Sequence, residues 1–227
     1  MHKSLTLKFL FPLLLTLSVE AANAQLTSSC GSIYNSYGPF DYRTANTQQR
    51  SLVEGAHFTP GVESLTHGKT GPFGGDIGYT LGVFPNHHRA LVSMARLAEK
   101  EKADPPKDAQ LTVVCFYERA IQFRSDDLIV RMLYAGYLIG KKRSADAVKQ
   151  LEFVREQAAD NAFTQYNVGM LYADMQDYDR ALIQAHLAES QGFERPDLRK
   201  RLVDAGKWRE PVRSATPQPT QASAPSD

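Results

Sequence analysis

The sequence predicts a mostly α fold: a short array of about three helix–turn–helix units closed by a capping helix and preceded by an irregular segment. Three observations predict it. A template of small and apolar residues returns after 34 residues, with Val168-Gly169, Tyr172, Ala181, Ala185 and Ala188 echoing Tyr134-Ala135, Leu138, Ala147, Leu151 and Val154. From residue 87 onward apolar residues recur at the three-to-four-residue spacing of a half-buried helix. Between residues 25 and 84, by contrast, Gly38-Pro39, Pro60-Gly61, Gly71-Pro72 and Gly74-Gly75 punctuate the chain with breaker signals.

Residues 1–24 read as a secretory signal peptide. His2, Lys3 and Lys8 make a basic start, residues 9–17 an apolar core, and Ala22-Asn23-Ala24 a small-x-small cleavage site. That apolar core is about half of the roughly 20 residues a bilayer requires, so stable membrane insertion is not expected. Cys30 lacks the leucine that precedes a lipidated cysteine by three positions. A periplasmic or secreted protein follows. Acidic and basic residues nearly cancel, 25 against 26, which excludes the basic footprint of a nucleic-acid binder.

Residues 25–84 form an aromatic, Gly-rich segment, irregular apart from a turn or two of helix near Thr47, docked on the helical body. Its aromatics, among them Tyr34, Tyr37, Phe40, Tyr42, Phe58 and Tyr79, are too many for a disordered linker. Residues 85–127 make a decorated first repeat: Asn86 caps a helix carrying Leu91, Met94 and Leu97, Pro105-Pro106 ends it, and Asp108 caps the partner. Residues 128–161 and 162–195 are the clean units, with Asp127 and Asn161 as N-caps 34 apart. Pro196 opens a capping helix over 196–209, polar outside and stopped by Gly206. Residues 210–227 are a Pro, Ser, Thr, Ala and Gln tail, expected to be disordered. Within the last unit, Ala181 is predicted to lie in the seam between helices and Gln184 to face solvent.

The spacing Val168-Gly169, Tyr172, Tyr178-x-x-Ala181, Ala188 resembles the tetratricopeptide-repeat family over the C-terminal half of the chain. That resemblance implies a non-catalytic scaffold that binds a protein or peptide segment, an envelope protein among the candidates, with no cofactor. It also implies that the first helix of each unit lines the binding groove. Ile129, Met132 and Gly136 then face it from the middle unit, and Phe163, Tyr166, Met170 and Asp174 from the last. The Lys, Arg and Asn set with which some members of the family clamp a terminal carboxylate is not at these positions. The groove is filled either by an external apolar or amphipathic helix or by the chain's own aromatic N-terminal segment.

Two further constellations carry chemistry. Cys30 and Cys115 suit a disulfide in an oxidising compartment, closing a loop worth roughly 4–5 kcal/mol of unfolded-state entropy. His57, His87 and His88 are candidate metal ligands, and with them an exported metal-dependent enzyme is the alternative function. Their spacing matches no zinc or haem motif, and adjacent helical residues point about 100° apart, so the reading assigns no metal site. Gly71-Pro-Phe-Gly-Gly75 lacks the Gly-Lys-Ser/Thr ending of a phosphate loop.

Overall fold

The structure is a computed structural model that describes residues 30–211. The signal-peptide reading and the tail from residue 212 lie outside the described residues. Among them are ten helices and no strand: α1 (Thr47–His57), α2 (Pro60–Glu63), α3 (Phe73–Val83), α4 (His88–Glu101), α5 (Val113–Phe123), α6 (Leu128–Gly140), α7 (Ser144–Gln157), α8 (Ala162–Asp174), α9 (Tyr178–Ser190) and α10 (Pro196–Asp204). The helices stack in an array in which α4, α6, α8 and α10 each pack on the next of the set, and α5, α7 and α9 pair with them. No described helix is long and apolar enough to cross a membrane.

The 34-residue recurrence is structural. Asp127 and Asn161 cap α6 and α8, their side chains accepting from the Val130 and Thr164 amides. Inside each unit the tight turn uses the same left-handed residue, Lys142 at φ 59° and Gln176 at φ 62°. One residue later the amides of Arg143 and Asp177 donate back to Leu138 O and Tyr172 O, both at 2.9 Å. A non-glycine residue in that region is costly, so its recurrence at one register position marks a shared turn. Ala135, Ala147 and Ala181 are fully buried and let paired helices close together. Gly169 is tighter still: a Cβ there would stand 2.5 Å from Leu198 Cδ2 and 3.0 Å from Gln184 Cβ.

That close approach corrects one expectation. Gln184 is buried, not exposed, because Gly169 brings α8 close enough to α9 to enclose it. The capping helix behaves as expected: α10 buries Leu198 and Leu202, turns its charged face outward, and ends where Gly206 adopts φ 67° and the Lys207 amide reaches Leu202 O.

The N-terminal segment corrects a larger one. From residue 47 to residue 83 the segment is largely helical, not irregular: α1 and α3 are each 11 residues long. α1 carries a full capping box between Asn46 and Gln49, and α3 buries Ile77, Thr80 and Leu81 despite its four glycines. The chain passes from α3 into α4 as it passes from α5 into α6 and from α7 into α8. In each case the first residue after the helix donates four back (Phe84 to Thr80, Arg124 to Ala120, Ala158 to Val154), and the next N-cap donates to that residue's carbonyl (His87, Asp127, Asn161). α1 packs on α3 and α3 on α4, so the segment is a further helical pair at the head of the array.

Two caps also move. His87, not Asn86, caps α4, its Nδ1 accepting from the Ala90 amide at 3.2 Å. Asn86 is withdrawn into the interior by longer-range partners described below. Thr112, not Asp108, caps α5, while Asp108 sits in the connector at φ 61°.

Candidate functional site

The face built by α4, α6 and α8 is the first candidate. Ile129 and Phe163 project from equivalent positions of α6 and α8 and are 46% and 59% exposed. Met132, Tyr166 and Met170 are half-buried, one side on the core and one on this face. Toward α4 the face opens into a cavity of about 240 Å³ whose walls include Val92, Arg96, Glu99, Leu133, Gly136 and Tyr137. Gly136 and Gly140 leave the space: a Cβ on Gly140 would meet nothing within 4 Å. Toward α10 the face is more polar. The Tyr166 hydroxyl donates to Asp197 at 3.1 Å, Asp174 pairs with Arg201 at 2.5 Å, and Phe193 packs against the rings of both Phe163 and Tyr166.

The seven predicted groove residues thus lie along α6 and α8, with Tyr166 and Asp174 both engaged by α10. The α4 contributors, Val92, Arg96 and Glu99, were not anticipated. α4 sits off the 34-residue register, and only the opposite stripe of Leu91, Met94 and Leu97 signals which side it turns outward. The aromatic residues described between 30 and 46 lie elsewhere. Tyr37, Phe40 and Tyr42 pack with Val53, Val83 and Phe84 into a small core of their own. Polar contacts of residues 30–46 run to α1, the α3–α4 junction, α5 and the α5–α6 turn.

The histidines occupy a second candidate region, a polar cluster joining that segment to the array. Asn86 is its centre. Its Nδ2 donates to Asp41 at 2.8 Å and to Asp127 at 2.9 Å, while its Oδ1 accepts from the Tyr42 amide. Asp41 is held well below the usual carboxylate range, chiefly by hydrogen bonds from Arg43. Burial would raise Asp127, but hydrogen bonds from His88 and Asn86 outweigh it and lower its pKa. His87 lies under the Tyr42 ring, centroids 3.8 Å apart, with Nε2 3.0 Å from Glu54 Oε1. Burial pushes its pKa down to about 4. The imidazole is therefore neutral at pH 7, donating to Glu54 through Nε2–H and accepting from Ala90 through Nδ1: a hydrogen bond, not an ion pair.

The three candidate ligands do not converge. His57 pairs with Asp76 at 3.1 Å, His87 with Glu54 and His88 with Asp127 at 2.9 Å, three separate carboxylates. Each carboxylate orders a different junction. Asp76, buried, gathers Thr70 Oγ1 and the amides of Lys69 and Thr70 and so shapes the loop before α3. Cys30 and Cys115 are bridged, with Cα atoms 5.0 Å apart, fastening the start of the described chain to α5.

A scan against protein-family models and searches of curated proteins and of solved structures find no match.

Proposed function

We propose that this protein is an exported, tetratricopeptide-like scaffold that holds an apolar or amphipathic helix of a partner protein against the α4–α6–α8 face. One observation carries the reading. Five apolar side chains, Ile129, Met132, Phe163, Tyr166 and Met170, stand at equivalent faces of α6 and α8 that residues 30–46, among the described residues, leave uncovered. Exposed contiguous apolar surface of this kind marks interaction sites. The cavity beside Gly136 adds a recess for an anchoring side chain, the arrangement from which hot spots draw their energy. Export is supported by the reading of residues 1–24 and by the Cys30–Cys115 bridge, which persists in oxidising compartments.

Envelope proteins cross-linked to tagged protein in cells and identified by mass spectrometry supply the test. Ile129→Glu with Phe163→Glu places two charges on the face at exposed positions, where substitution costs little stability. The expected result is loss of the cross-linked partner with the melting temperature held within a few degrees. The same partner captured at the same yield by the double variant refutes the groove.

A further inference from the structure

We infer that the cavity between α3, α5 and residues 32–35 is a second binding site, for a small carboxylate bearing an aromatic or apolar body. It encloses about 420 Å³, within the range of small-molecule sites, and shares no residue with the α4–α6–α8 face.

Arg119 supplies the charge. It lines the cavity half-buried, and among the described residues its one hydrogen bond is a long one, 3.5 Å to Cys30 O. Among the described residues it takes part in no ion pair, whereas Arg43, Arg89 and Arg124 are each paired with carboxylates. Burial lowers its pKa, with no carboxylate acting against it. A desolvated guanidinium is a planar fork of donors suited to a carboxylate, which it binds through two parallel hydrogen bonds. Asp108, also on the lining, forms no ion pair with it.

The walls supply the body's contacts. Tyr34 and Tyr79 stand at the cavity 80% and 42% exposed, and Phe116 closes it from α5. The floor is α3, where each glycine costs about 1 kcal/mol of helix stability relative to alanine. Gly74 is required by the chain itself, since a Cβ would stand 2.0 Å from Lys107 O, whereas at Gly82 it would meet Asn35 Nδ2 at 2.6 Å, the end of a flexible side chain that can turn away. Gly75 and Gly78 are not required: a Cβ meets nothing within 4 Å at the first and only Phe116 Cζ, at 4.0 Å, at the second. Both line the cavity, and their bare backbone is accounted for by a ring lying against it.

Titration of oxidised protein with benzoate, its neutral isostere benzamide, and inorganic phosphate, followed by the amide resonances of Gly75 and Gly78, tests the assignment. Benzoate is expected to shift both saturably, benzamide and phosphate to bind at least roughly tenfold more weakly, and Arg119→Gln to weaken benzoate by a similar factor. Gly78→Leu, whose Cβ meets no backbone and whose side chain extends into the cavity, is expected to abolish binding while the protein stays folded. No benzoate shift up to about 10 mM, equal binding of benzamide or phosphate, or full affinity in either variant overturns it.

Discussion

Two neighbouring glycines of α3 should respond to the same substitution with opposite sign. At Gly75 a Cβ meets nothing within 4 Å, so Gly75→Ala gains helix propensity alone, up to about 1 kcal/mol. At Gly74 the new Cβ stands 2.0 Å from Lys107 O, 3.1 Å from Lys107 C and 2.8 Å from Ala109 N. All three are backbone atoms of the α4–α5 connector, so no rotamer change relieves the contact. That connector is tied down by Ala109 N to Pro106 O, Lys107 N to Glu101 and Val113 N to Asp104. Displacing it costs on the order of 1–3 kcal/mol, and the propensity gain offsets only part of that. The propensity gain is common to both, so the two variants should differ by about 1–3 kcal/mol, which for a chain of this size separates their melting temperatures by roughly 2–12 °C. Urea unfolding of the oxidised chain at matched m-values measures the difference directly. If Gly74→Ala proves as stable as Gly75→Ala, the α3–connector contact is wrong, and with it the wall of the cavity.

Three other outcomes follow from the same contacts. His87 is buried neutral with its pKa down to about 4, so its contribution is present above its unfolded value of 6.5 and lost as pH falls from there toward 4, on the order of 3 kcal/mol. Asp41, Glu54, Asp76 and Asp127, lowered in the fold, add to the loss at lower pH, so the diagnostic window is pH 6.5 to 5. There His87→Gln should flatten the stability profile, and an unchanged slope would contradict a neutral buried imidazole. Ala181→Leu should cost on the order of 1–3 kcal/mol by overpacking the α8–α9 seam, while Ala substitution at exposed Ile183 stays within about 0.5 kcal/mol; similar effects at both would mean the register is misassigned. The oxidised protein should titrate no free thiol and, with the 85-residue loop opened by reduction, melt lower; two reactive thiols in protein isolated without reductant would refute the bridge.

What the sequence determined by itself is the part of the molecule whose physics is local. The units over 128–161 and 162–195 were legible because their signals act within one helical turn. Asp127 and Asn161 bond amides three residues on, and Gly206 ends α10 through its own backbone freedom. The stripes of Leu138, Leu151, Val168 and Tyr172 repeat every turn or two, and a 34-residue period compares two such units directly. The pairing of Cys30 with Cys115 was an expectation from their number in a chain read as exported, and the structure supplies the bridge.

Only the tertiary structure decided the rest, because there the controlling partner lies far along the chain. α3, with four glycines in 11 residues, has too little intrinsic propensity to announce itself. It is helical because Ile77, Thr80 and Leu81 are buried, with α3 packed between α1 and α4. Asn86 looks like a cap from its neighbours, yet Asp41 and Asp127, 45 and 41 residues away, claim its amide, and the cap passes to His87. Gln184 reads as a surface residue until Gly169 draws α8 onto it. Likewise the Arg119 cavity joins residues 32–35 to α3, the 108–111 connector and α5, a juxtaposition that no spacing within one element encodes.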